Sequence, residues 1–153
     1  MRGTDALGLG DEGMGQGNLS QESRRPRGLR KHVELTEQII GACYEVHRIL
    51  GPGLEERFYR DALHHELQLR GLRCRCEQEF AVEYKGKLLG SHRVDLIVEH
   101  KVLVELKAVA GHLPLVSVAQ TVSERQVARL PVALLVNFGQ TKVEVRRLED
   151  RSL

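Results

Sequence analysis

The chain has 153 residues, 41% of them hydrophobic, enough for one domain of ordinary size with a core of its own. Aromatic residues make up only 4% and Trp is absent, which argues against a stacked-aromatic surface for single-stranded nucleic acid. The formal net charge of +2 sits in residues 1–32, where six basic side chains face four acidic ones; of the 23 basic and 21 acidic groups in total, this leaves 17 of each beyond residue 32, so no basic surface of the whole domain can be invoked.

Residues 1–32 read as a Gly- and Arg-rich leader that stays disordered, because it has too few large apolar residues to offset the entropy of ordering. Its cluster from Arg24 to Lys31 is a solvated tail or a set of phosphate contacts. It has no apolar stretch of a signal peptide, and no run in the chain approaches the roughly 18 apolar residues of a membrane span. Cys43, Cys74 and Cys76 are an odd number, and Cys74-Arg75-Cys76 is too close-set for a zinc knuckle. Free thiols and a soluble, cytoplasmic protein without membrane contact are expected.

Residues 33–150 read as one domain. A helix is expected from Leu35 to Leu50, with Thr36 as its cap and a stripe of Ile39, Ile40, Cys43, Val46, His47 and Leu50. Gly51-Pro52-Gly53 stops it. A second helix from Leu54 to Arg70 carries a stripe of Leu54, Phe58, Ala62, Leu63 and Leu67. The periodicity then changes to strands: Arg73 to Tyr84, Leu88 to Val98 and Val102 to Val109. A third helix covers Leu113 to Arg129, with Pro114 in its first turn, followed by a buried strand from Val132 to Phe138 and an exposed one from Lys142 to Arg147. The order predicts an α/β (α+β) fold, a central mixed sheet flanked by helices.

The chemistry concentrates in His92-Arg93-Val94-Asp95-Leu96-Ile97-Val98 and Val102-Leu103-Val104-Glu105-Leu106-Lys107. A three-residue loop between them makes a hairpin that pairs Val98 with Val102 and therefore Asp95 with Glu105. Lys107, two residues on, shares the face of Glu105. Val94, Leu96, Val98, Val102, Val104 and Leu106 then fill the other face, and so apolar a sheet is covered on both sides. An isolated Glu-x-Lys on a strand is most often a structural ion pair. Two opposed, partly buried carboxylates with an ammonium beside them are a different matter, because their repulsion calls for a divalent cation. A one-residue slip of register would undo the arrangement.

This Asp-x10-Glu-x-Lys pattern on adjacent strands resembles the core motif of the PD-(D/E)XK nucleases, and the order helix, three strands, helix, strand is similar to their restriction-endonuclease-like αβββαβ core. Gly53-Leu54-Glu55-Glu56-Arg57-Phe58-Tyr59 resembles the motif of the GxxExxY group of that superfamily, as do LTEQIIGACYEVHRILGPGLEE, YKGKLLGSHRVDLIVEHKVLVELKAV and LLVNFG. The resemblance implies a nuclease acting on DNA more readily than RNA, with Mg2+ or Mn2+ as cofactor and a homodimer or a protein partner as a further possibility. It implies metal ligands at Asp95, Glu105 and the Leu106 backbone carbonyl, and catalytic roles for Lys107, Glu56 and Gln120. Glu56 would bind metal or position water, and Gln120 would lie near the scissile phosphate. Tyr59 would stand at the edge of the site against substrate or simply pack. The same fold could serve instead as a catalytically silent module that binds nucleic acid or protein. Where relatives continue the third helix with a Leu-Leu-Asn-Tyr-Leu-like run, this chain has Thr121-Val122-Ser123-Glu124-Arg125, so substrate contacts from that helix are in question. His92, three residues before Asp95, falls on the opposite face by parity, and the histidines read as surface or packing residues.

Overall fold

The computed structural model describes residues 31–150. Residues 1–30, nearly all of the expected leader, lie outside it. The elements run α1 (Val33–Leu50), α2 (Glu56–Leu69), β1 (Cys74–Tyr84), β2 (Lys87–Val98), β3 (Val102–Lys107), α3 (Leu115–Val127), β4 (Val132–Asn137) and β5 (Glu144–Glu149). One five-stranded sheet has the order β1-β2-β3-β4-β5. β3 and β4 are parallel, as the intervening helix α3 requires, and the other neighbours are antiparallel. This is a mixed α+β fold consistent with the restriction-endonuclease-like core. Among the described residues no helix is long and apolar enough to cross a membrane.

α1 starts earlier than its stripe suggested. His32 holds the left-handed N-cap position, and Thr36 lies one turn inside the helix, buried, with its hydroxyl donating to the Val33 carbonyl at 2.9 Å. Arg147 of β5 accounts for this start: its guanidinium donates to Thr36 Oγ1 at 2.6 Å and to the Lys31 carbonyl. The chain at Lys31 is thus tied to β5.

α1 and α2 cover one face of the sheet. Ile39, Ala42, Cys43 and Val46 of α1, with Tyr59, Leu63 and Leu67 of α2, pack on Leu96, Val98, Val102, Val104, Leu106, Val132, Leu134 and Val136. The stripe of α2 thus runs through Tyr59 and not Phe58, which stays 44% exposed with Arg57 stacked over its ring. The difference is one helical position, and Tyr59 wins it because its ring stacks on Phe138 at 4.8 Å. A smaller cluster on the other face joins Val94, Ile97, Leu103 and Ala133 to Ala128 and Leu130, which follow α3.

Val94 is on the face opposite to the one parity assigned. Cys74, Cys76, Leu96 and Val98 pack toward α1 and α2, whereas Phe80 and Val94, of the same parity in the same ribbon, pack toward the other side. The ribbon turns over between these sets, where Glu77 adopts the left-handed conformation (φ 54°) and drops out of the ladder opposite Asp95. Everything beyond that point, His92 included, changes sides.

The carboxylate fork between two strands

The ladder between β2 and β3 is short. It holds Leu96↔Val104, Ile97↔Leu103 and Val98↔Val102, the register expected from the three-residue loop, and then stops. β2 continues paired to β1 alone and β3 paired to β4 alone. Asp95 and Glu105 are the next residues on each side of the resulting fork. In place of a ladder, each carboxylate reaches across to the opposite backbone: Asp95 N–H donates to Glu105 Oε1 at 2.9 Å, and Leu106 N–H donates to Asp95 Oδ2 at 2.9 Å. The two acids are thus brought together by strand separation, and side chains satisfy amides that a continuous sheet would have paired.

The same contact orients the Leu106 carbonyl. In a strand the N–H and C=O of one residue point to the same neighbour, so the Leu106 oxygen faces the β2 side, where the ladder has ended. Lys107 turns its own carbonyl the other way, accepting from Phe138 N–H at 2.8 Å. Asn137, fully buried, fastens the chain that follows: its Nδ2 donates to the Val109 and Gly111 carbonyls, each at 3.1 Å, and its Oδ1 accepts from Val109 N–H at 3.0 Å and Gly139 N–H at 2.9 Å. Gly139 is required beside it, since a Cβ there would stand 2.3 Å from the Val109 carbonyl oxygen.

Burial dominates the electrostatics. Glu105 is only 7% exposed, and burial, the Asp95 carboxylate and Glu124 together push its pKa up to about 10. Burial also raises Asp95, against the opposing help of the Leu106 N–H and of its bond to Glu105. Glu56, the first residue of α2, is half-buried; burial and then the charge of Asp95 raise its pKa, while Lys107 and Arg60 oppose the rise. Glu56, Asp95 and Lys107 thus share one electrostatic neighbourhood drawn from α2, β2 and β3. Lys107 is half-buried and stands within 4 Å of no carboxylate among the described residues, so the structural ion pair is not formed.

These donors suit a hard cation in kind: two adjacent oxygen acids, one buried and one half-buried, with the Leu106 carbonyl on the same side of β3. Among the described residues no three or more His, Cys, Asp or Glu side chains are disposed to hold a metal by themselves. The Leu106 carbonyl and oxygens from outside the chain would complete the coordination, the pattern typical of Mg2+.

Two expected residues are placed differently. Tyr59, expected at the edge of the site for substrate, has no exposed surface; its hydroxyl donates to the Gly51 carbonyl at 2.5 Å and accepts from Leu54 N–H at 3.2 Å. It shapes the turn that ends one residue before Glu56 and touches nothing outside the protein. Gln120 is exposed on α3, but its amide donates to Glu124 Oε1 at 3.0 Å. Glu124 was not singled out in the sequence, although it is 4% exposed, and His92 binds the same oxygen at 2.7 Å. Its signal was legible: Ser117, Thr121, Glu124 and Arg125 make the inward stripe of α3 polar where an apolar one is usual. His92 was misplaced by parity for the reason given above. A shallow depression of about 640 Å3 lies by the β2–β3 turn, lined by Gln68, Leu72, Arg73, Cys74, Ile97 and His100 among others, and no acid lines it.

A search of curated proteins finds no match. Among solved structures, the crystal structure of SSO0001 resembles this chain with a TM-score of 0.50 at 17% identity, over 76% of this chain and 58% of that one. That likeness concerns the fold alone, and the chain spans little more than half the length of its counterpart. The sequence itself is more specific, because a family model matches residues 33–148, from the first residue of α1 to the last but one of β5, with the whole carboxylate fork inside the match. By that match the chain belongs to the PD-(D/E)XK nuclease superfamily.

Proposed function

We propose that this protein is a divalent-cation-dependent nuclease that hydrolyses phosphodiester bonds of nucleic acid, DNA in preference to RNA. The observation that carries the reading is the fork, where half-buried Asp95 and buried Glu105 each accept from the backbone of the opposite strand, with Lys107 two residues on. Asp95, Glu105 and the Leu106 carbonyl are the ligands in this reading, with Glu56 as a further ligand or as the group that orients water. Bound Mg2+ or Mn2+ would polarise a phosphoryl oxygen and lower the pKa of a bound water. Lys107 sets a compact positive charge where negative charge builds on the phosphate. Gln120 contributes only if it leaves Glu124.

Within the superfamily we assign the chain to the GxxExxY group, on Gly53, Glu56 and Tyr59. The buried tyrosine supports that assignment, since it holds the turn from which Glu56 projects. Three free thiols fit a reducing compartment such as the cytoplasm.

Incubation of the full chain with plasmid, single-stranded DNA, branched DNA and RNA in Mn2+ is expected to give cleavage that Lys107→Ala lowers about 10²–10³-fold. Calorimetry is expected to show Mn2+ binding that Asp95→Asn weakens sharply. Binding indifferent to Asp95→Asn removes the enzymatic reading. Metal binding without cleavage of any substrate favours a silent nucleic-acid-binding or protein-interaction module.

A further inference from the structure

The β1–β2 arm carries a surface that neither the core nor the fork uses. Beyond the fork its strands pair only with each other, and the arm is tied down on the α3 side, where His92 Nε2 meets Glu124 Oε1 at 2.7 Å. Past that anchor the ribbon runs on to a two-residue turn at Lys85 and Gly86, both left-handed (φ 47° and 78°). Its tip is unlike an ordinary solvated turn. Tyr84, Leu88 and Leu89 are 60%, 63% and 60% exposed. Scattered singly, such side chains need no explanation; gathered at one tip they mark a contact surface. Lys85 and Lys87 lie among them and join no ion pair among the described residues, and Lys85 Nζ stands 5.4 Å over the Tyr84 ring. No acid falls between Tyr84 and Ser91, and Glu83, opposite Leu88, looks to the other face.

The register says which way the tip looks. The bulge near it adds its extra residue to β2, so β1 runs regularly from Phe80 through Val82 to Tyr84, which share a face, and Lys87 stands opposite Tyr84. Phe80 packs with the cluster of Leu103 on the α3 side of the sheet, and Glu105, two residues on from Leu103 in a regular strand, looks the same way. Asp95 and Lys87 are eight positions apart in β2, a reach of up to about 27 Å. The occupant that fits is double-stranded DNA. Its phosphates complement the unpaired lysines in a domain that has no net charge of its own to offer. Its major groove, about 12 Å wide, admits a two-stranded ribbon and presents thymine methyls to apolar side chains. The corresponding groove of A-form RNA is too deep and narrow. We propose that the tip from Tyr84 to Leu89 enters the major groove of a B-form duplex about 8 base pairs from the bond held at the fork. The lysines take the flanking phosphates, and Leu88 and Leu89 supply the apolar contact. The spacing rests on the nuclease reading; the groove contact does not.

The test is fluorescence anisotropy of the full chain with labelled probes in EDTA, where nothing is cleaved: a DNA duplex of about three helical turns, the same duplex in RNA, and single-stranded DNA. Every residue to be substituted is exposed, and thermal melting checks that each variant folds. Wild type is expected to prefer duplex DNA. Lys85→Ala/Lys87→Ala should lower the slope of log Kd against log salt by about 1.8, the release of counterions from two phosphates. Leu88→Ser/Leu89→Ser should weaken binding of that duplex about 10-fold with the slope unchanged. In Mn2+, cleavage of duplexes shortened on one side of the cut should become indifferent to the lysines once fewer than about 8 base pairs remain there. Slope and affinity unchanged in both variants, with cleavage still lost in Lys107→Ala, overturn the groove contact and leave the nuclease reading standing. Equal losses on RNA or single strands overturn the fit to B-form DNA. A wild-type dimer in sedimentation that Leu88→Ser/Leu89→Ser dissolves, with DNA affinity unchanged, makes the patch a self-contact and overturns the proposal too. Duplex binding as expected, without cleavage in any divalent metal, keeps the groove contact and overturns the nuclease reading. No nucleic acid bound by the wild type overturns both.

Discussion

Replacing Glu105 by glutamine is expected to stabilise the metal-free protein. Glu105 has an ordinary pKa of 4.5 and is lifted to about 10 by burial and by Asp95. A carboxyl raised by folding stabilises the native state fully below pH 4.5, and that contribution is lost as pH climbs through about 10. Each pH unit in this window costs roughly 1.4 kcal/mol, which amounts to about 5 kcal/mol at pH 8 before protein polarisability is counted. An effective dielectric constant of about 20 leaves roughly 2 kcal/mol. Glutamine keeps the acceptor for Asp95 N–H and adds a donor facing the Asp95 carboxylate, so the packing and the bond at 2.9 Å are retained. Thermal melting in EDTA at pH 8 should rise by about 6–10 °C in Glu105→Gln, and the gain should vanish near pH 4.5. With saturating Mn2+ the order should invert, since wild type gains about 2.7 kcal/mol at a hundredfold excess over Kd and the variant little. A variant that melts no higher than wild type at pH 8, or whose advantage does not depend on pH, refutes the assignment of strain to the acid pair.

Two further predictions concern the scaffold. Asn137→Ala removes three hydrogen bonds to the backbone after β3 and one to Gly139 after β4, leaving two carbonyls and two amides unpaired, so denaturant titration should show a loss of about 3–4 kcal/mol; a loss below about 1 kcal/mol would mean that the loop after β3 is held by other contacts. Tyr59→Phe keeps the stack on Phe138 and removes the hydroxyl bonds to Gly51 and Leu54, for a loss of about 1–2 kcal/mol, and because the turn also sets Glu56, activity should fall further than stability alone explains. Equal activity at temperatures where both proteins are folded would confine Tyr59 to packing.

The sequence carried most of the plan. Element order followed from periodicity, and the hairpin register from a three-residue loop, so Asp95, Glu105 and Lys107 could be put on neighbouring strands without coordinates. Three features could not be read that way. Parity holds only along a regularly paired ribbon, and the left-handed Glu77, which leaves the ladder, sends Val94 and His92 to the other side. Phe58 and Tyr59 are adjacent and both suit a buried stripe; only the ring of Phe138, 79 positions on, decides between them. Opposed residues in a hairpin were expected to pair in a ladder, but the desolvated acids bond to backbone amides in its stead, which separates the strands.

The short seam between β2 and β3 also has a mechanical side. Six residues of β3 are bonded to β4, yet only three are joined to β2. The half of the pocket bearing Glu105 and Lys107 is therefore anchored in the body of the protein, while the half bearing Asp95 sits at the root of a lever, the long β1–β2 arm ending at Lys85 and Gly86. A load applied at that tip would reach Asp95 before Glu105, so the spacing of the two acids is the coordinate of the fork that such a lever would change.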